Sequence, residues 1–494
     1  MVEFYISYRY NKNNQIKKEK HMIKKICVLI LSFIMAFSVV GCKTTVDMDK
    51  TGKAENLLPN YPQAKFELSG FWAPYDITEE AFKQYKDIGF TTLNMINHSL
   101  ARTSETQFYL GSDRTIKSLE ICKKLGLNAI LNYNDWVAES TEDEGAAYYG
   151  DTPFSKFDIY GDYKDIITGI HIADEPSKRH YDDIYNRKTL MEDFEKVYPN
   201  ANYIVNLPPK HAGGTYWGFA DYDELVQTYE NEILKQTKNK FVSIDFYPFV
   251  KEEHHAYPRQ DDWVITYEII ANLGKKYDAY KTAIIQSSVT NEFAKELHEG
   301  DMRLQVNMAL AFGFDHLQYY CYEVPTSYNE DGSVNYMYEH TILNRDSTPT
   351  DMYYWIKDIH KEIQSFSSVI LAYDWDSVMG VNPVGFSSNM DMSYLLLEKE
   401  MTDNKHIEKA ISSTDLVISK FTSEEYGEAY MLVNYALSDK PTNVATITFK
   451  DCSKLAVYGG KGFDGTPKIV ELDEEGKYRF EFEYGEGAFV VPMA

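Results

Sequence analysis

The sequence predicts an α/β fold: a (β/α)8 TIM barrel followed by a C-terminal antiparallel β-sandwich domain. Three observations predict it. Eight short β-rich runs alternate with helical patterns between residues 66 and 370. Polar and acidic residues gather at the C-terminal ends of those runs, where a barrel carries its chemistry. Beyond residue 370 the helical period stops, and alternating strands with Gly, Asp, Asn and Pro turns take over. A doubly wound open sheet is the competing α/β arrangement, and the count of eight favours the barrel.

The strand runs fall at 66–74, 91–98, 127–134, 168–174, 202–207, 241–247, 282–287 and 315–322. The helical segments between them include 78–88, 114–125, 222–236, 262–277, 302–312 and 350–366. Several open with Thr or acids, and Gly89, Gly126 and Gly313 close three of them, which is sound capping. The sandwich strands are expected at 393–397, 429–434, 443–449, 454–458, 468–472, 478–482 and 488–491, with a weak helical stretch at 407–410.

Ahead of the barrel, the apolar run 26–40 follows Lys24 and Lys25 and ends Val39-Val40-Gly41-Cys42. It is shorter than the roughly 20 residues of a comfortable membrane span, and its parts are those of a secretory signal. The ending resembles a bacterial lipobox, which implies lipidation of Cys42. The expected organisation is a signal peptide over 1–41, a lipidated tether over 42–65, the barrel over 66–370 and the sandwich over 371–494. Met22 stands where a signal should begin, so 1–21 reads as an upstream extension. This places the chain outside the cytoplasm, anchored to the bacterial cell membrane by lipid alone.

The 494 residues carry 50 basic and 75 acidic side chains, a net charge of −25, and 44% are hydrophobic. That is ample material for a core and excludes disorder as the dominant state. Without 1–41 the charge becomes about −30, a surface that repels phosphate backbones, so nucleic acid is an unsuitable partner. Five Cys make no disulfide framework; Cys122, Cys321 and Cys452 read as free thiols. The 40 Tyr give the chain an unusual supply of flat faces bearing hydroxyls.

Two motifs are discounted. Gly460-Lys461-Gly462-Phe463-Asp464-Gly465 matches G-x-G-x-x-G but is followed by a strand pattern instead of a helix, so it reads as a hairpin turn. Glu252-Glu253-His254-His255 looks rich in metal ligands, but adjacent residues do not all point at one ion, and it reads as a solvated loop. No metal or cofactor is expected.

Strand alternation assigns faces. In the fourth strand Ile170 and Ile172 should face the helices, leaving His171, Ala173 and Glu175 toward the axis. In the sixth, Ser243, Asp245 and Tyr247 should point inward and Val242, Ile244 and Phe246 outward. Asn94 and His98 share a face in the second strand, and Asn132 and Asn134 in the third. The fifth strand ends at Asn206, the seventh at Gln286, and the eighth runs through Tyr320 to Glu323. The mouth therefore collects carboxylates, amides and aromatics. Carboxylates suit glycosidic cleavage, amides suit sugar hydroxyls, and the rings of Trp72, Trp136, Tyr247 and Tyr320 suit the C–H faces of a pyranose.

These phrases carry a resemblance. Gly70-Phe71-Trp72-Ala73-Pro74, Ile172-Ala173-Asp174-Glu175-Pro176-Ser177, Val205-Asn206-Leu207-Pro208 and Ser243-Ile244-Asp245-Phe246-Tyr247-Pro248 resemble the clan A (β/α)8 glycoside hydrolases, and more closely the β-galactosidase-like barrels of bacterial secreted lipoproteins. The resemblance covers about residues 66–370 and implies that Glu175 is the acid/base. The preceding residue, usually Asn in that clan, is Asp174. The clan's strand-seven nucleophile is a Glu, and here it is Gln286, an amide that cannot form a glycosyl ester.

Three outcomes follow. An inverting enzyme could pair Glu175 as acid with Asp245 as base, if their carboxyls stand roughly 6.5–9.5 Å apart. Alternatively Glu323 or Asp174 could supply the second carboxylate. Or the barrel could bind carbohydrate without cleaving it. In the hydrolase, Trp72 and Tyr247 are sugar platforms, and Asn132, Asn206 and Gln286 hold hydroxyls; His98, Asn134, Asp174, Tyr320 and Glu323 complete the expected binding set. A third class, an adhesin for a host protein, rests only on the acidic, Tyr-rich surface.

Overall fold

The computed structural model describes residues 58–72, 74–95, 112–132, 160–181, 188–251, 259–289, 295–328, 333–383, 404–436 and 442–494. The expected signal peptide with Cys42, the 252–255 loop and the 393–397 strand lie outside the described residues.

Eight strands form one parallel sheet: β1 (Glu67–Phe71), β2 (Thr92–Asn94), β3 (Asn128–Asn132), β4 (Ile167–Asp174), β5 (Asn202–Leu207), β6 (Phe241–Phe246), β7 (Tyr280–Gln286) and β8 (His316–Tyr320). β1 pairs with β8, and the rest run in sequence order back to β2. The seam between β1 and β2 is stitched by Thr91, whose N–H donates to Leu68 O at 2.8 Å and whose Oγ1 accepts from Leu68 N–H at 2.9 Å. The buried Tyr85 hydroxyl bridges the same seam, donating to Thr92 O at 2.8 Å and accepting from Gly70 N–H at 2.7 Å. Gly70 permits this packing, because a Cβ there would stand 2.8 Å from the Tyr322 Cβ. The strand order and this closure make the sheet a (β/α)8 barrel.

The surrounding helices follow their local signals. α1 (Glu79–Asp87) starts where the Thr78 side chain accepts from Ala81 N–H, and it buries Phe82 and Tyr85. α2 (Asp113–Leu125) is capped by Ser112 and stopped by Gly126 in the left-handed region, φ +68°. α3 (Lys188–Val197) follows β4 and was not singled out by periodicity. α4 (Tyr222–Tyr229) is capped by Asp221 and widens into a π-turn over Glu230–Leu234, so the helix expected over 222–236 is two geometries. α5 (Arg259–Tyr277), α6 (Glu299–Ala311), α7 (Asp351–Ser365) and the short α8 (Ser367–Ile370) complete the shell.

The barrel interior is packed in layers. At the bottom, Glu67 accepts from the hydroxyls of Thr92 and Tyr280 at 2.6 and 2.9 Å. Above it, His316 is hydrogen bonded to Ser69 and Thr282 at 2.7 and 3.1 Å. At the top, Phe71, Trp72, Ile284 and Cys321 pack with Tyr247, Tyr320 and Tyr338.

After β8, β9 (Thr326–Tyr328) and β10 (Val334–Tyr336) form an antiparallel hairpin. The C-terminal part is antiparallel. One sheet orders β11 (Asp374–Val381), β13 (Leu416–Ser423), β14 (Gly427–Asn434), β19 (Gly487–Met493), β16 (Lys454–Tyr458) and β17 (Lys468–Glu471). The other orders β12 (Ile407–Ser412), β15 (Asn443–Phe449) and β18 (Lys477–Phe482). Between them lies a core that includes Leu416, Ile418, Leu432, Ile447 and Phe480. The expected helical stretch at 407–410 is a strand: Ile407 and Ala410 fit a helical period, but pairing with β15 decides the conformation. The glycine-rich segment 460–465 is a turn between β16 and β17, with Gly460, Gly462 and Gly465 at positive φ. The last residues of the expected tether are docked on the fold. Tyr61 packs against Tyr373 and Tyr426 at tilted angles, and Ala64 N–H donates to Ser368 Oγ at 3.1 Å.

Candidate active site

The site is built on neighbouring strand ends. Asn206 and Ser243 are register partners on β5 and β6 and share the inner face. The Ser243 hydroxyl donates to Asn206 Oδ1 at 2.8 Å, which fixes the amide so that Nδ2 points at carboxylates. That Nδ2 donates to Asp174 Oδ1 at 3.1 Å and to Asp245 Oδ1 at 3.3 Å. The carboxyls of Glu175 and Asp245 share a hydrogen bond.

Uninterrupted alternation in β4 would send Asp174 away from Glu175. The register slips between His171 and Ala173, so Asp174 stands opposite the inward Asn206. Glu175 follows in the left-handed region, φ +46°, an uncommon conformation for a non-glycine residue. The bulge and this turn carry two consecutive carboxylates to one place. On β6 the expected alternation holds: Asp245 reaches Asn206, while Phe246 stacks on Trp263 of α5 at 6.0 Å.

Burial governs the electrostatics. It raises the Asp245 carboxyl to about 7, with the Asp174 charge adding to the shift and hydrogen bonds opposing it. It raises Glu175 well above the usual carboxylate range, and the charges of Asp245 and Asp174 push the same way. Asp174 is surrounded by protein yet keeps solvent exposure. Water therefore reaches it more than Asp245, and its carboxyl rises only to about 6, restrained by the Asn206 bond. Burial and the two neighbouring charges thus favour the protonated form of Glu175.

These shifts fix the sign of a pH effect on stability. A carboxyl whose folded pKa is raised binds its proton more tightly folded than unfolded. Its contribution is complete below the unfolded value near 3.8 and is lost as pH rises through about 6 for Asp174 and about 7 for Asp245. Asp245→Asn should remove on the order of a few kcal/mol of this dependence. Urea midpoints at about pH 5 and about pH 8 check it: the wild type should lose more stability across the interval than the variant. Equal losses contradict the assignment.

An aromatic wall adjoins the carboxylates. Tyr247 stacks on Tyr320 with centroids 5.2 Å apart, Trp72 lies 5.2 Å from Tyr320, and Tyr338 donates its hydroxyl proton to Tyr320 at 2.8 Å. Tyr247 feels the charges of Asp245, Asp174 and Glu175; burial raises it furthest, so its hydroxyl stays protonated. Asn132 is buried and pairs in register with His171. Buried His171 has no hydrogen-bond partner on either ring nitrogen among the described residues, and burial lowers it to about 3, so it is a neutral ring in the barrel.

Two expected residues are not brought to this cluster. Gln286 is buried, with Oε1 accepting from Phe249 N–H and Nε2 donating to Phe249 O, both at 3.0 Å. These bonds hold the segment after β6. Glu323 accepts from Tyr75 N–H at 2.7 Å and so holds the segment after β1; burial raises it to about 7. His98, Asn134 and Trp136 lie outside the described residues. Sequence reasoning missed Tyr222 and Tyr338. Tyr222 donates to Pro208 O at 2.9 Å and feels Asp245 and Glu175, and its sequence signal was only its place beside the Asp221 cap. Tyr338 had none.

Gln286→Glu should therefore fail to restore a strand-seven nucleophile. It would set a carboxylate against Phe249 O and cost about 1–3 kcal/mol by losing one bond and leaving that carbonyl unpaired. Denaturant unfolding and a glycosidase assay check it together. New turnover without loss of stability would contradict this account of Gln286.

Among the described residues, no group of three or more His, Cys, Asp or Glu side chains is disposed to hold a metal ion. No helix among them is long and apolar enough to cross a membrane.

No protein-family model matches the chain, and no curated protein matches it. Similar solved structures include a family 39 glycoside hydrolase from Bacteroides cellulosilyticus WH2, at 12% identity over 88% of this chain and 83% of that one, TM-score 0.45. Another is a family 5 glycoside hydrolase from Bacteroides vulgatus ATCC 8482, at 11% identity over 86% and 89%, TM-score 0.47. A third is a family 30 subfamily 8 xylanase from Clostridium acetobutylicum, at 10% identity over 89% and 98%, TM-score 0.41. The assignment of the barrel rests on the strand pairing described above.

Proposed function

We propose that the chain is a glycoside hydrolase acting on an oligo- or polysaccharide, with Glu175 as the general acid. The observation that carries this reading is the carboxylate cluster of Asp174, Glu175 and Asp245, gathered by Asn206 beside a wall of Trp72, Tyr247 and Tyr320. Cleavage needs a protonated acid at neutral pH, and burial with two like charges supplies one. The aromatic wall offers flat faces to the sugar, and the carboxylates offer acceptors to its hydroxyls.

On this reading Asp245 takes a different part from that of an inverting base. An inverting pair needs room for a water between its carboxyls. The hydrogen bond between Glu175 and Asp245 leaves none, so Asp245 acts on Glu175 by holding its proton. A glycosidic oxygen entering the site takes the place of Asp245 as acceptor. With the lipobox-like segment ending at Cys42, we place this activity outside the cytoplasm, on a lipid-anchored protein.

The engagement of Gln286 with Phe249 favours one second reading, a barrel that binds carbohydrate without cleaving it. A panel of oligo- and polysaccharides incubated with the wild type separates the two. New reducing ends support the hydrolase. Binding by calorimetry with no product after long incubation supports the second reading.

A further inference from the structure

The position of the carboxylates raises the question of what attacks the anomeric carbon. Glu175 protonates the leaving oxygen from one face of the ring, so a nucleophile must reach the other. Asp174 and Asp245 cannot, because both lie within the same hydrogen-bonded cluster as Glu175. Of the far-strand residues that the clan resemblance brings forward, Gln286 is hydrogen bonded to the backbone of Phe249 and Glu323 to that of Tyr75. Neither therefore stands free as a nucleophile opposed to the acid. The site supplies something a two-carboxylate hydrolase does not need. Asp174 is a second carboxylate beside the acid, turned inward by the β4 bulge and oriented through Oδ1 by Asn206. Its other oxygen is left to accept from a ligand.

A sugar can carry its own nucleophile. The carbonyl oxygen of a 2-acetamido group lies next to the anomeric carbon and, in a β-hexoside, on the face opposite the leaving group. Attack within the substrate needs no protein carboxylate and gains the advantage of an intramolecular reaction. Its requirement is a hydrogen-bond acceptor for the acetamido N–H, close to the acid.

Resting on the glycosidase reading above, we propose that the site acts on 2-acetamido-2-deoxy-β-hexosides, with the acetamido oxygen as nucleophile, Asp174 accepting from the acetamido N–H and Glu175 protonating the leaving oxygen. In the first step the Glu175 proton passes to the glycosidic oxygen, the C1–O bond breaks, and the acetamido oxygen bonds to C1. The resulting oxazolinium keeps its N–H on the Asp174 carboxylate, which balances its charge. In the second step the Glu175 carboxylate takes a proton from water as the water oxygen bonds to C1. The bond between C1 and the acetamido oxygen breaks, and the acetamide and the Glu175 proton are both restored. The anomeric configuration is retained. The electrostatics suit these parts: the Asp174 carboxyl rises only to about 6, and burial with two like charges favours the protonated form of Glu175.

The test uses the whole chain and the 4-nitrophenyl β-glycosides of N-acetylglucosamine and N-acetylgalactosamine, beside the parent 2-hydroxy glucoside and galactoside. The acetamido substrates should be cleaved and the parents not. The rate should fall with each fluorine placed on the acetyl group, since fluorine weakens the attacking carbonyl; a merely structural role for Asp174 would not produce this. Asp174→Asn should lower kcat by about 10²–10³-fold. Cleavage of the parents with no preference for the acetamido sugars overturns the proposal and leaves the glycosidase reading standing. Cleavage indifferent to fluorination overturns the role of the acetamido oxygen. No cleavage of any substrate here or in the glycan panel, together with no binding of the thiazoline analogue of the intermediate by calorimetry, overturns both readings.

Discussion

Replacing Glu175 by Gln is expected to lower kcat/KM on natural glycans by about 10²–10⁴-fold, the usual worth of a general acid. The substitution keeps the size of the side chain and removes the proton that the buried cluster holds in place. The loss should depend on the leaving group. A sugar alkoxide is a poor leaving group and needs the proton. A dinitrophenolate leaves without one, so its glycosides should lose less than about tenfold, because the interaction removed matters only in a transition state that needs it. A uniform loss across both substrates would point to disturbed binding. No loss on the glycan would remove Glu175 from the acid role.

Arg303→Met is expected to cost about 3–5 kcal/mol of stability. Arg303 on α6 is 6% exposed and Glu362 on α7 is 8% exposed. They form a bidentate pair at 2.5 and 3.2 Å, and Arg303 Nε also donates to Glu299 at 2.9 Å. Glu362 additionally accepts from Gly462 N–H at 2.6 Å, in the glycine-rich turn of the sandwich. The pair thus joins two barrel helices to the C-terminal sheets, and removing the guanidinium leaves a buried carboxylate with no cation beside it. Urea unfolding measures the loss. The double variant with Glu362→Met should lose less than the sum of the single changes, because neither charge is then stranded. A loss below about 1 kcal/mol for Arg303→Met would show that the pair behaves as an exposed one.

What the sequence made legible follows from which signals are local. The eight barrel strands were readable because each is a short apolar run ended by Gly, Pro or polar residues, and the helices between them carry their own caps, as at Thr78 and Gly126. β13 was missed because it is buried along both faces: Leu416, Val417 and Ile418 run consecutively and show no alternation. β12 was misread because Ile407 and Ala410 fit a helical period, and only pairing with a distant strand decides otherwise. In the site, Glu175, Asp245 and Asn206 were readable from strand ends and alternation. The true direction of Asp174 was not, because a register slip against β5 sets it. Nor was the employment of Gln286, whose partner is the backbone of Phe249 on another segment. Local chemistry names the residues, and long-range pairing decides which of them meet.

The central claim is that Glu175 stays protonated at neutral pH while Asp174 beside it is ionised. Carboxyl 13C titration of the labelled protein, with Glu175 and Asp174 assigned from Glu175→Gln and Asp174→Asn, measures this directly. The account predicts a Glu175 midpoint well above the ordinary 4.5 and above that of Asp174, which should lie at about 6. A Glu175 midpoint at or below 4.5, with its carboxyl ionised before that of Asp174, would contradict it.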